Sequence, residues 1–362
     1  MKHRKKSEVR AAKAVGTVGK IAGYVITFAV ILCITLFLTM KIICASEIAR
    51  NTFITTVLET GQLKFLASLA LPQDEIQKVV DANSMKNVEE KDVNEEMISF
   101  DASGTAVSVG GKNDIEVVEI PGLTYKATLM IVKDPSRVSL ATIMNENGHW
   151  PQYGETLEKI AKDNSALAAI NGGLYSSTNN SGGYPFGVVV SKGKIVRNIP
   201  NEWPGLVLVG LTDKNILQII DVSKMSSGKV ADMIREKGIR DAVCFQEEKS
   251  SDNNHFVQLI INGTNREVTG AGSGLNPRTA IGQRADGALL LLVTDGRGSK
   301  GHAGASAHDL IDIMSRYGAV NAANLDGGSS TCMYYDGKYL QNSVTFYYDQ
   351  TSWRLPFAFI VK

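Results

Sequence analysis

Three polar turns carry the residues most suited to chemistry, and each follows a hydrophobic run. They are "AAINGGLY" at 168–175, "LLLLVTDGRGSKG" at 289–301 and "AANLDGGSSTCMYY" at 322–335. A fourth stretch, "NPRTAIG" at 276–282, sets an arginine and a threonine at a strand start. The shared design is a buried strand that delivers Asn or Asp onto a glycine-rich turn. Glycine permits sharp turns and lets a ligand approach backbone N–H groups closely. The two glycines after Asp326 therefore leave its carboxylate free to face a cleft. Taken singly, Asp-Gly and Asn-Gly are ordinary turn dipeptides. Arg278 and Arg297 taken singly are surface charges, and Tyr175, Tyr334 and Tyr335 are half-buried strand residues. His302 and His308 sit near a helix start, where histidine is usually not catalytic. The argument for a site rests on all four elements occurring in one domain. The chain lacks GxSxG, HExxH and a Walker-type loop.

The order of "INGGLY", "PRTAIG", "LLLLVTDGR", the Gly304–Ser306 "GxS" before a helix, "NLDGGSST" and a closing "RLPFAFIV" resembles the phosphodiester glycosidase family over roughly residues 115–362. That family is similar in turn to the catalytic domain of the mannose-6-phosphate uncovering enzyme, which removes N-acetylglucosamine from a phosphodiester. Its bacterial members are often labelled exopolysaccharide biosynthesis proteins. Two departures stand out. The family commonly reads "LDGGGSS" where this chain reads "LDGGSST", and often carries serine where His302 stands.

The resemblance implies hydrolysis of a sugar-1-phosphodiester of the N-acetylglucosamine-1-phospho type at the anomeric carbon. A phosphate monoester is already a good leaving group, so guanidinium groups suffice to neutralise it. Arg278 and Arg297 are the candidates, because the planar fork matches phosphate oxygens. An oxocarbenium-like transition state needs a carboxylate as nucleophile or water-activating base. Asp326 is the first choice and Asp295 the second, with nucleophile against base left open. Gly327, Gly328, Ser329 and Ser330 are expected to bind phosphate or sugar oxygens. Asn171, Gly172, Gly173 and Asn324 complete the expected substrate-binding set. No cofactor is required by this chemistry. Asp and Asn turns suit oxygen ligation of a divalent cation such as calcium, although nothing in the sequence demands one. A glycan-binding module without catalysis and a phosphotransferase acting on cell-wall glycopolymers are the alternatives, and reaction products separate all three.

Short β-branched runs and hairpin turns alternate with amphipathic helices from about residue 101 onward. The reading is α+β, a mixed β-sheet domain with packed helices over 101–362. "SAHDLIDIMSRYG" is a helix with Ser306 as N-cap, Asp309 completing a capping box and Gly318 closing the end.

Residues 1–20 form a basic tail, and 21–44 contain an uncharged run long enough to span a bilayer, about 20 residues. The basic flank marks the cytoplasmic side, which predicts a single-pass anchor with the C-terminal domain extracytoplasmic. A cleaved signal peptide is the competing reading, but its apolar core is usually shorter, about 7–15 residues. Residues 45–100 read as a juxtamembrane helix followed by an acidic stalk, dispensable from 73 to 100. The 362-residue chain is 44% hydrophobic and 21% charged with a net charge of +1, so it offers no footprint for nucleic acid. The expected partners are membrane lipid through the N-terminal helix and a glycan or glycopolymer phosphodiester substrate, in a Gram-positive-type cell envelope. Four cysteines, two of them at the apolar segment, make neither a disulfide scaffold nor a structural zinc site.

Overall fold

The computed structural model describes residues 2–60, 63–86, 92–100, 114–344 and 351–362, with side chains from residue 20 onward. The chain divides into two units, Met1–Phe53 and Ile54–Lys362. In the first unit, helix Lys2–Ala45 includes a stretch, Lys20–Ala45, long and apolar enough to cross a membrane. By length and composition that stretch suits a signal anchor or a signal peptide.

The second unit is α+β. Its strands form three principal sheets, and every strand pairing among the described residues is antiparallel, so the expected mixed sheet resolves into antiparallel sheets packed with helices. The largest sheet runs in the order Ile115–Pro121, Lys126–Val132, Leu289–Thr294, Thr279–Arg284, Ala319–Asn324, Gln258–Ile261 and Thr264–Asn265. The second has Lys338–Gln341, Met333–Tyr335, Ala168–Asn171, Phe357–Val361 and Val138–Thr142 in order. The third has Lys194–Asn198, Val188–Ser191, Ile239–Gln246, Leu206–Thr212 and Leu217–Asp221.

Strand periodicity explains how these sheets pack. Successive side chains point to opposite faces. Leu289, Leu291 and Val293 enter one common core, and so do Ile170, Phe357, Phe359, Val207 and Val209 from the other two sheets. The alternate residues face outward onto helices. Leu290 and Leu292 meet Leu310, Ile313 and Met314 of helix Ala307–Arg316. Ala169 and Ile360 meet Leu157 and Ile160 of helix Leu157–Asp163. Leu208 and Val190 meet Val230 and Ile234 of helix Ser227–Glu236. Burial on both faces is why "LLLLV" is apolar without a break. Ser306 caps its helix through the expected capping box with Asp309, and Gly318 takes φ +82° just past the helix end.

The stalk expected at 73–100 is corrected. Ile54, Val57, Leu58, Ile76, Val79, Val80, Met85, Val93 and Ile98 are buried in the second unit. Helix Gln73–Ala82 is acidic on its outer side, while Ile76, Val79 and Val80, spaced i, i+3, i+4, share its buried face. Met85 bridges to Val268, and the Ser99 N–H donates to the Ala285 carbonyl at 2.8 Å. Part of the acidic run, residues 87–91, lies outside the described residues. Each large apolar side chain removed from a core costs about 2–5 kcal/mol, so losing this group exceeds a typical domain's margin. A chain truncated to begin at residue 101 should therefore aggregate or lose its cooperative thermal transition. One beginning at residue 54 should keep it. A sharp, unchanged melting curve for the shorter protein would show that residues 54–100 are dispensable after all.

Candidate active site

Antiparallel pairing gathers the chemistry at one end of the largest sheet. Strand Thr279–Arg284 runs opposite to both of its neighbours, with Thr279 beside Val293 and Ala280 beside Asn324. Its start therefore lies next to the ends of Leu289–Thr294 and Ala319–Asn324. Arg278 precedes the first strand, Asp295–Arg297 follow the second and Asp326–Ser330 follow the third. The end of Ala168–Asn171 joins them from the second sheet, where the Asp326 N–H donates to the Gly172 carbonyl at 3.1 Å.

A cavity of about 560 Å³ opens there. Asp326, Gly327, Gly328, Ser329, Ser330, Arg278 and Arg297 all line it. Asp326 is half-buried. Its carboxylate accepts from the Ser330 hydroxyl and the Gly327 N–H, with Arg297 as the nearby cation. Burial outweighs these and pushes the carboxyl up to about 7. Behind it, the Tyr175 hydroxyl lies 2.9 Å from Ser330 Oγ, and burial holds that phenol well above its ordinary range. Tyr175 thus serves as a neutral donor to Ser330, which donates on to Asp326.

The two arginines differ. Arg297 donates from Nη1 to Ser329 Oγ at 2.7 Å and from Nε to Asn276 Oδ1 at 3.4 Å. Burial and Arg278 lower its guanidinium to about 10, so it stays cationic at neutral pH. It lies so close over Gly328 that a Cβ there would come within 2.5 Å of Nη2, and Gly328 has φ +60°. Arg278 is buried, with Nη2 donating to Glu59, to Ser273 Oγ at 3.0 Å and to the Gly274 carbonyl at 2.7 Å. Its Nε donates to the Ala305 carbonyl at 3.2 Å, and its guanidinium carbon stands 5.0 Å from the Phe256 ring centre.

Other expected site residues lie behind the cavity. Asp295 does not line it; its oxygens accept from the Lys126 N–H and pair with His302 Nδ1, each at 2.7 Å. Asn171 is buried and donates to the Asp326 carbonyl at 2.6 Å. Its Oδ1 accepts from Thr279 Oγ1 at 2.7 Å and the Cys332 N–H at 3.2 Å, so both ends of its amide are engaged within the protein. Asn324 is also buried and donates to the Phe256 carbonyl at 2.9 Å. Gly172 and Gly173 serve packing, since a Cβ would meet the Phe357 ring at 2.9 Å and the Cys244 carbonyl at 2.2 Å respectively.

Sequence reading missed several lining residues. Glu59, Thr60, Leu63 and Lys64 come from the segment read as a juxtamembrane helix, and Phe245, His255 and Trp353 had no local signature. Glu59 is the second carboxylate on the wall. It accepts from the Gly274 N–H at 2.7 Å, from Asn276 Nδ2 at 3.3 Å and from Arg278. Among the described residues no three His, Cys, Asp or Glu side chains form a metal-ligand set.

The three bonds of Asn171 predict a stability effect. Asn171→Ala leaves buried partners unsatisfied and should lower the unfolding free energy by about 2–4 kcal/mol. Chemical denaturation checks this. An unchanged midpoint with a raised KM would instead return Asn171 to substrate binding.

The sequence profile described as phosphodiester glycosidase matches residues 164–362. The chain is 26% identical over 189 residues to the SPbeta prophage-derived uncharacterized protein YomE of Bacillus subtilis (strain 168), covering 52% of this chain and 27% of that protein. It is 26% identical over 215 residues to N-acetylglucosamine-1-phosphodiester alpha-N-acetylglucosaminidase of Bos taurus, covering 56% of this chain and 37% of that protein. It thus spans well under half the length of either relative. The solved catalytic domain of the zebrafish N-acetylglucosamine-1-phosphodiester alpha-N-acetylglucosaminidase, auto-inhibited by its pro-peptide, superposes with a TM-score of 0.52 at 19% identity, over 71% of this chain and 86% of that one. At that identity the likeness is one of fold. The profile covers more than half of the sequence and includes Arg278, Arg297 and the Asp326 turn: the chain belongs to the phosphodiester glycosidase family.

Proposed function

We propose that this protein hydrolyses a sugar-1-phosphodiester, of the N-acetylglucosamine-1-phospho type, with Asp326 as the reacting carboxylate. The observation that carries the reading is Asp326 itself: a half-buried carboxyl raised to about 7, on the wall of a cavity that also presents Arg297 and Arg278. A carboxyl poised near the working pH suits general-base or nucleophilic work. In the proposed reaction the bond between the anomeric carbon and the bridging oxygen breaks. The phosphate monoester leaves with that oxygen, and water supplies the new oxygen at carbon. Asp326 either takes the proton from that water or adds to carbon first and is then released by water. Arg297 stabilises charge on the leaving phosphate, helped by the turn at Gly327–Ser329. Arg278 acts chiefly by holding the wall in position, because Glu59 already occupies part of its fork and offsets its charge.

Asp326→Asn keeps the shape and removes the reacting oxygen. Turnover of a sugar-1-phosphodiester should fall about a hundredfold to ten-thousandfold. For the wild type, kcat/KM should fall with a single-proton limb as pH drops below about 7, since the carboxylate form reacts. Stability moves the other way. A carboxyl raised in the folded state favours folding when protonated, and that contribution fades as pH rises from the unfolded value through about 7. Asp326→Asn should therefore melt no lower than wild type at pH 8, with its relative advantage shrinking toward pH 5. Near-normal hydrolysis by the variant would remove Asp326 from the chemistry. Release of a transferred phosphate chain rather than free sugar would favour a phosphotransferase.

The same proposal places the protein in the cell membrane, anchored by Lys20–Ala45 with the glycosidase unit extracytoplasmic and acting in cell-envelope or exopolysaccharide metabolism. The basic residues before the apolar helix support that direction. Protease added to intact cells should then remove the C-terminal unit. A unit cut only after lysis would reverse the topology.

A further inference from the structure

His255 lines the same cavity and has no part in the chemistry above. It belongs to a two-stranded ribbon, Glu248–Lys249 with Asn254–His255, in which Glu248 pairs with His255. Its ring stands 6.0 Å from that of Phe245, and its Nδ1 lies 3.3 Å from Gln246 Oε1.

The neighbouring bonds fix which ring nitrogen carries the proton. Gln246 Nε2 donates to the Pro204 carbonyl at 3.0 Å and to Glu248 Oε2 at 2.8 Å. A backbone carbonyl can only accept, so the amide nitrogen must be on that side and Oε1 must face the imidazole. Glu248 is held in turn, accepting from Asn253 Nδ2 at 2.8 Å and from Ser250 Oγ at 3.2 Å. An acceptor opposite Nδ1 requires a proton on Nδ1, which leaves the lone pair on Nε2. The ring remains neutral: burial, then Lys64 and Arg278, lower it to about 4. Lys64 also lines the cavity and donates to Asn253 Oδ1.

The cavity wall is rich in donors. Arg278, Arg297, Lys64 and the turn N–H groups suit an anion. A neutral imidazole acceptor has a different use. We propose that His255 is a specificity-determining residue whose Nε2 accepts a hydrogen bond from an O–H or N–H on the sugar of the substrate, an inference that rests on the sugar-phosphodiester reading of this cavity. The favoured substrate then carries both an anionic phosphodiester for the arginines and a sugar hydroxyl or acetamido N–H for His255. A sugar whose donor is deleted or methylated is discriminated against, because a site built to pair a polar group rejects the analogue lacking it.

The test uses the detergent-solubilised full chain and N-acetylglucosamine 1-(methyl phosphate), with its monodeoxy sugars and a 2-deoxy analogue lacking the acetamido group. His255→Leu removes the acceptor, while His255→Gln returns an amide oxygen near the Nε2 position. KM and the calorimetric Kd should rise about tenfold in the Leu variant, with kcat changed less than about threefold. The Gln variant should recover most of that loss. One analogue should bind wild type as weakly as the Leu variant binds the parent diester, and lose nothing further in that variant. Equal KM and Kd for wild type and the Leu variant would overturn the assignment. So would a Gln variant as impaired as Leu with both melting low, which indicates packing on Phe245. Binding that depends on His255 but yields no free sugar would sink the hydrolytic reading and keep this one. A wild type that binds none of these diesters sinks both.

Discussion

The Asp326 turn stands where a buried amide holds it. Asn171 ends a strand of the second sheet, yet its side chain donates to the Asp326 carbonyl and accepts from Thr279 at the start of a strand in the largest sheet. The Asp326 N–H answers by donating to the Gly172 carbonyl. Two sheets that share one apolar core are thereby pinned at one edge, with the Asp326 turn between them. A carboxyl on a glycine-rich turn would otherwise sample many orientations, since the two glycines that follow it free the backbone. Fixing it in advance would lower the ordering cost of the proposed reaction. The apolar core supplies most of the stability, and the Asn171 clasp converts it into position.

Charge around the cavity is divided rather than pooled. Glu59 meets Arg278 with both groups nearly excluded from water, so that ion pair is largely self-compensated. A buried pair adds little net stability, but either member alone would be costly. Among the described residues the side-chain hydrogen-bond partners of Arg297, Ser329 and Asn276, are neutral, so it keeps more of its charge for a ligand. Among the described residues Asp326 likewise has no direct ion pair, and burial dominates its titration. Arg297 and the raised carboxyl face one cavity, while the buried Glu59–Arg278 pair holds the wall and ties it to the segment after residue 54.

The sequence exposed the strand-end logic well and the wall poorly. Arg278, Arg297 and Asp326–Ser330 were legible because each sits at the junction of an apolar strand and a glycine-rich turn, and antiparallel neighbours bring such junctions together. The same pattern also selected Asn171, Gly172, Gly173, Asn324 and Asp295, which share the junction but do not line the cavity. Local pattern specifies the end of a strand, not which side of the turn a side chain takes. Glu59 and His255 had no local signal at all. Glu59 lies 219 residues from Arg278 in sequence, so the pairing exists only in tertiary structure. The acidic composition of 73–100 suggested a stalk because composition averages over both faces of a helix, and only the i, i+3, i+4 spacing of Ile76, Val79 and Val80 marks the buried one.

The two departures from the family pattern can be read physically from their contacts. Where the family commonly has a third glycine, this chain has Ser329, and its hydroxyl accepts from Arg297 Nη1 at 2.7 Å. A glycine there would leave Arg297 without that bond, so the serine helps orient a guanidinium that a Cβ at Gly328 would crowd. Where relatives often carry serine, this chain has His302, whose Nδ1 meets Asp295 Oδ2 at 2.7 Å. Asp295 also accepts from the Lys126 N–H and is nearly inaccessible to solvent. His302 thus supplies a donor to a carboxylate that would otherwise be buried with one oxygen uncommitted. Ser329 acts through Arg297, whose charge also bears on the Asp326 carboxyl, and His302 acts on Asp295 behind the cavity. Under the proposed reaction, variation of this kind would bear on how a phosphodiester is held, through the bonds of Arg297 and Asp295.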